Sequence, residues 1–188
     1  VVYDEATDTY VEQTDGVAAM PEEAKVLALE ALKTYARYGI KEASAGEVGK
    51  YYDKADVCIP VIHNLSTNII NSDATVYGDY WVENYDIKGD TLEFVSGGNY
   101  PGVFKLKINE KGDMVVTDFQ SPEDGEGYAD SAKKLFGKYY EDFANYSADD
   151  KAKKEVRTNA IAEYVKANGL KVTQYHDYGW DPVALPTK

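Results

Sequence analysis

The chain has 188 residues, 44% of them hydrophobic, and no apolar run near the ~20 residues that cross a bilayer as a helix. Its 33 acids outnumber 20 bases, and the net charge of −13 repels phosphate backbones and anionic lipid, so neither nucleic acid nor direct membrane insertion is expected. A single cysteine, Cys58, permits no internal disulfide, and within VCIPVI it reads as a buried, inert thiol.

Residues 1–20 are acidic and lack hydrophobic periodicity; they read as a flexible lead-in to one domain over 21–188. Pro21-Glu22-Glu23 opens a predicted helix over 21–38, since proline suits the first helical position and acids suit the positive end of the helix dipole. Leu27, Ala31, Tyr35 and Tyr38 fall on one face, and Gly39 suits the position past the end. An irregular connection follows over 40–55. DVCIPVIHN then predicts a short strand, which Pro60 restricts to an edge or a bulge because proline has no N–H to donate.

The stretch 75–119 predicts an antiparallel meander. TVYGDYWVENYDI, TLEFV, VFKLKI and MVVTDF are its strands, separated by Lys88-Gly89-Asp90, the longer loop SGGNYPG and a turn around Lys111-Gly112-Asp113. In the first strand Tyr77, Asp79, Trp81, Glu83 and Tyr85 share one face, with Val76, Gly78, Tyr80 and Val82 on the other. One face should meet a helix, the other solvent or a cavity. After the acidic loop SPEDGEG, Ala132, Phe136, Tyr139, Phe143 and Tyr146 recur at helical spacing, with Gly137 a possible interruption. Ser147-Ala148-Asp149-Asp150 starts a second helix, whose stripe is Val156, Ala160, Ile161, Tyr164 and Val165 and whose end is Asn168-Gly169. LKVTQYHDY predicts a last strand and WDPVALP an extended tail. The expected class is α+β: an N-terminal helix packed on a curved antiparallel sheet, two C-terminal helices and a final strand.

Tyrosine stands out at 17 copies, joined by Trp81 and Trp180. Tyrosine suits half-buried strand faces, so most of these copies need no functional explanation. The aligned row Tyr77, Trp81 and Tyr85 is the exception: exposed, it would be a binding platform, because such rings stack on sugars and anchor protein partners. Asp79 and Glu83 lie in the same row, where a carboxylate beside apolar rings would hold its proton more tightly and suit acid–base work. His63 and His176 lack zinc-site spacing, and the acids at 123–126 and 149–150 lack the calcium-loop pattern, so neither a metal nor another cofactor is expected. No nucleophile elbow, phosphate loop or dinucleotide fingerprint occurs.

The runs TVYGDYWVENYDIKGDTLEFVSGGNYPGVFKL and VRTNAIAEYVKANGLKVTQYHDYGWDP resemble a group of uncharacterised secreted proteins and lipoproteins of gut bacteria. The layout is similar to the cystatin-like and nuclear-transport-factor-two-like superfamilies, in which a helix packs into a curved antiparallel sheet. The resemblance implies an extracellular or cell-envelope location, held by a lipid on a cysteine upstream of this chain, and brings no catalytic residues. The leading expectation is a noncatalytic protein that binds a ligand or partner (protein, peptide or glycan) through an aromatic sheet face or cavity. The alternatives are a small cavity enzyme of isomerase or hydratase type using a buried carboxylate or His63, and a cystatin-like module that makes contact through the SGGNYPG loop.

Overall fold

One long strand organises the sheet. The computed structural model describes residues 2–4, 9–11, 55–108, 110–111 and 114–187. The helix expected over 21–38 lies outside them. Strands β1 (Val2–Asp4) and β2 (Thr9–Val11) pair antiparallel with each other. The main sheet has seven strands: β3 (Val57–Ile70), β4 (Asp73–Lys88), β5 (Thr91–Asn99), β6 (Gly102–Ile108), β7 (Met114–Gln120), β8 (Gln174–His176) and β9 (Val183–Ala184). Three α-helices are described: α1 (Tyr128–Phe136), α2 (Tyr140–Ala148) and α3 (Asp150–Ala167). The class is α+β, with a mixed sheet: β8 pairs parallel with β5, and the other pairings are antiparallel.

The meander expected over 75–119 is instead a long hairpin with strands added at its edges. β3 and β4 are joined at Asn71-Ser72, where Asn71 takes a positive φ of 54° suited to a tight turn. β3 pairs with β4 from Val57↔Tyr85 to Ile70↔Asp73, running past the expected DVCIPVIHN segment. Among the described residues β4 is its one ladder partner, so Pro60 does sit on an edge. Along the other side of β4, β5 covers Trp81 to Lys88 and β6 covers Asp73 to Gly78. The register Trp81↔Asn99 resumes at Gly78↔Gly102 with no residue inserted. Tyr100 keeps the ladder going by donating its N–H to the Tyr80 carbonyl (2.6 Å).

SGGNYPG is therefore not a loop: residues 96–99 belong to β5, and Pro101 marks a missing donor inside a nearly continuous strand. Its glycines admit close neighbours. A Cβ at Gly102 would clash with the Gln120 carbonyl oxygen, and one at Gly97 would lie 2.6 Å from the Glu83 carboxylate.

Both faces of β4 carry buried residues. Ala74, Val76, Tyr80 and Val82 pack with Cys58, Phe104 and Leu106 on one side, where the thiol is as buried as its sequence implied. The other face meets the helices. Phe136 and Phe143 stack with ring centroids 4.3 Å apart and, with Ala132, cover Leu65 and Tyr77 at one end. Ile161 and Val165 of α3 cover Ile59, Tyr85, Leu92 and Tyr175 at the other. Burying each such aliphatic chain contributes roughly 1.5–3 kcal/mol. Gly137, at a φ of 52°, breaks the first expected C-terminal helix into α1 and α2, so three helices stand where two were expected. Asp149 caps α3 by accepting the Ala152 N–H (3.0 Å). The last expected strand forms as β8, and the tail adds β9 beside it.

Candidate functional site

Between its two covered ends, the helix-facing side of β4 is left open as a cleft of about 580 Å³. Trp81 of β4 and its cross-strand neighbour Val61 form the sheet wall. Asp150, Lys153, Lys154 and Arg157 form a second wall, and their spacing puts them on one face of α3. The third wall is the tail after β8, carrying Asp177 and Trp180. A turn holds that tail: Trp180 donates its N–H to the Asp177 carbonyl (3.1 Å), and Gly179 supplies the positive φ of 82°. Trp180 is 77% exposed and Tyr178 in the same turn 93% exposed, so the turn presents two aromatic rings to solvent, that of Trp180 at the cleft.

The row Tyr77, Trp81 and Tyr85 does share one face, but its members have different surroundings. Tyr77 is half-buried against Tyr139, with centroids 4.7 Å apart. Tyr85 is fully buried under α3. Of the three, Trp81 lines the cleft. Its indole N–H donates to Asp79 (3.3 Å), and Asp79 also accepts from the Asn99 side-chain amide. Asp79 is 2% exposed, and burial raises its pKa against the pull of these two donors. His63 lies opposite Asp79 in the β3–β4 register and stacks on Tyr146 at 3.6 Å; burial lowers its pKa and favours the neutral ring. His176 pairs with Glu93 (2.8 Å).

At the cleft floor one cation serves two carboxylates. Arg157 donates to both oxygens of Asp177 (2.6 and 2.8 Å), to the Tyr85 hydroxyl (2.7 Å) and to Glu83 (3.2 Å). Its guanidinium also lies 5.5–6.0 Å from the ring centroids of Tyr175, Phe94 and Tyr85. Burial and the neighbouring Asp177 charge push the Glu83 carboxyl up, while Arg157 draws it down. Burial prevails and pushes Glu83 up to about 7, although it and Arg157 remain in ion-pair contact. Gly97, opposite Glu83 in the register, leaves room for that carboxylate. Lys153 is also occupied, by Asp150 (2.9 Å) and the Ser147 carbonyl (2.7 Å). Among the described residues no group of three or more His, Cys, Asp or Glu is placed to hold a metal ion.

No family model, curated protein or solved structure matches this chain.

Arg157 and Asp177 are not among the site residues expected from sequence. One signal was available: Arg157 is one of two arginines in a chain with 18 lysines, and arginine is the cation suited to forked, half-buried ion pairs.

Proposed function

We infer that the protein is a noncatalytic binding protein whose site is the cleft between β4, α3 and the C-terminal tail. The observation that carries this reading is that both tryptophans of the chain, 99 positions apart, line one open cleft. Large aromatic rings left in contact with solvent are the usual anchors of recognition sites. Of the expected residues, Trp81 is the contact; Tyr85 supports Arg157 from beneath, and Tyr77 belongs to the packing of α1 and α2. An extracellular or cell-envelope setting, as the resemblance implies, goes with this reading. No helix among the described residues is long and apolar enough to cross a membrane.

The test is a screen of immobilised glycans and peptides with the wild type, Trp81→Ala and Trp180→Ala. Trp180 is mostly exposed, so its variant keeps the fold even if the Trp81 variant does not. Loss of capture in the Trp180 variant supports the cleft; capture undiminished in both overturns it.

A second reading, a small cavity enzyme of isomerase or hydratase type, is favoured by one observation: the cleft floor holds a carboxylate, Glu83, that keeps its proton to about pH 7. His63, the other expected base, does not line the cleft. This reading requires turnover that Glu83→Gln abolishes. A cystatin-like contact through SGGNYPG loses its basis, because most of that segment is strand.

A further inference from the structure

Resting on the binding reading above, we propose that the ligand is a neutral oligosaccharide whose sugar rings stack on Trp81 and Trp180. Three features of the cleft lead there. First, its aromatic contacts come from two separate elements, a central strand and the tail turn, and one is fixed in advance: the Asp79 carboxylate, itself buried and bound by Asn99, holds the Trp81 indole. A ring held in place before binding loses little entropy when a flat ligand face covers it.

Second, most charges of the lining are matched to one another, and the remaining two, Lys154 and Asp181, are of opposite sign. Lys153 is taken by Asp150, and Arg157 by Asp177 and Glu83. The polar wall therefore offers acceptors and donors side by side with little net charge. A sugar hydroxyl, which donates and accepts at the same atom, fits such a wall. At Lys153 and Arg157 an anionic ligand would have to compete with a carboxylate already in hydrogen-bond contact, and the net charge of −13 opposes anions further.

Third, about 580 Å³ lies within the ~300–1,000 Å³ of small-molecule sites. That is room for a short oligosaccharide. Tyr178, two positions from Trp180 in the same turn and 93% exposed, would offer a further ring to a chain longer than the cleft holds, so longer chains bind more tightly than short ones.

Intrinsic tryptophan emission reports on this cleft alone, because Trp81 and Trp180 are the chain's two tryptophans. The experiment titrates the protein with malto-, cello-, xylo- and manno-oligosaccharides of increasing length, and in parallel with a set of short peptides and with choline. The expected result is an emission change with at least one saccharide series. Its affinity rises with chain length, changes less than about twofold up to 0.5 M NaCl, and falls by about tenfold or more in Trp180→Ala. Tyr178→Ala removes the gain from added length and leaves short-chain binding unchanged. Emission that responds to peptides or choline but to no saccharide overturns the ligand class while leaving the cleft in place. A saccharide affinity that collapses in salt overturns neutrality in the same way. Silence with every probe overturns the class and the cleft together.

Discussion

Glu83 joins the chemistry of the cleft to the stability of the fold. Its carboxyl is nearly buried, and its pKa stands at about 7 against an ordinary 4.5. Below the ordinary value it is protonated whether the chain is folded or not. As pH rises from 4.5 to 7, the unfolded chain releases the proton first, so the folded state binds more protons and stability falls through that window. Above it the loss is complete, at about 3 kcal/mol. Replacing the acid by its amide removes the titration while keeping an oxygen for Arg157. Denaturant unfolding at pH 5 and pH 8 should therefore show a smaller drop for Glu83→Gln than for the wild type. Equal drops would mean that Glu83 is ionised throughout and that Arg157 holds it as firmly as it holds Asp177. Tyr85 shows a limit of reading single residues from sequence. Alternation along β4 put it correctly on the face of Trp81, but alternation says nothing about which part of that face a helix covers.

At the level of elements, the strands and helices were legible where hydrophobic period and capping agreed. The row Ala132, Phe136, Tyr139, Phe143 and Tyr146 is buried throughout, and the start of α3 at Asp149 follows the capping rule. The misreadings arose where glycine and proline do something other than turn the chain. Gly97-Gly98 and Pro101 looked like a loop because those residues usually make one. Here Gly97 makes space for Glu83, Gly102 for the backbone of β7, and Pro101 occupies a gap in the ladder. The consequence can be measured. In Gly102→Ala the new methyl meets a carbonyl oxygen that cannot swing aside, so the β6–β7 pairing must shift, at about 1–3 kcal/mol by chemical denaturation. Gly98→Ala meets just the ring of Tyr100, which can rotate away, and should lose less. The reverse order would show that the approach of Gln120 to β6 is not the constraint. Length was also misread: β3 runs six residues past the expected segment because Leu65 to Ile70 mixes polar and apolar side chains without strict alternation, and the shift in register between Asn64 and Ser66 disturbs the pattern.

For the whole molecule, the α+β class followed from the order of element types, but the cleft did not. It exists because α1 and α2 cover one end of β4, α3 covers the other, and the tail returns beside β5 through the parallel pairing of β8. That return brings Trp180 and Asp177 to Trp81 and Arg157, and no local pattern in the chain encodes it. The charged face Asp150, Lys153, Lys154 and Arg157 reads locally as an exposed helix surface. It becomes a wall once the tail lies beside it.

The measurement that tests this arrangement most directly is an indole-region 15N–1H spectrum of the labelled protein, recorded while a ligand captured in the glycan and peptide screen is titrated in. The chain has two tryptophans and hence two indole N–H signals. If the cleft is the site, both move along one saturation curve, despite the 99 positions between their residues. A ligand that saturates the protein while both signals stay still would contradict the account.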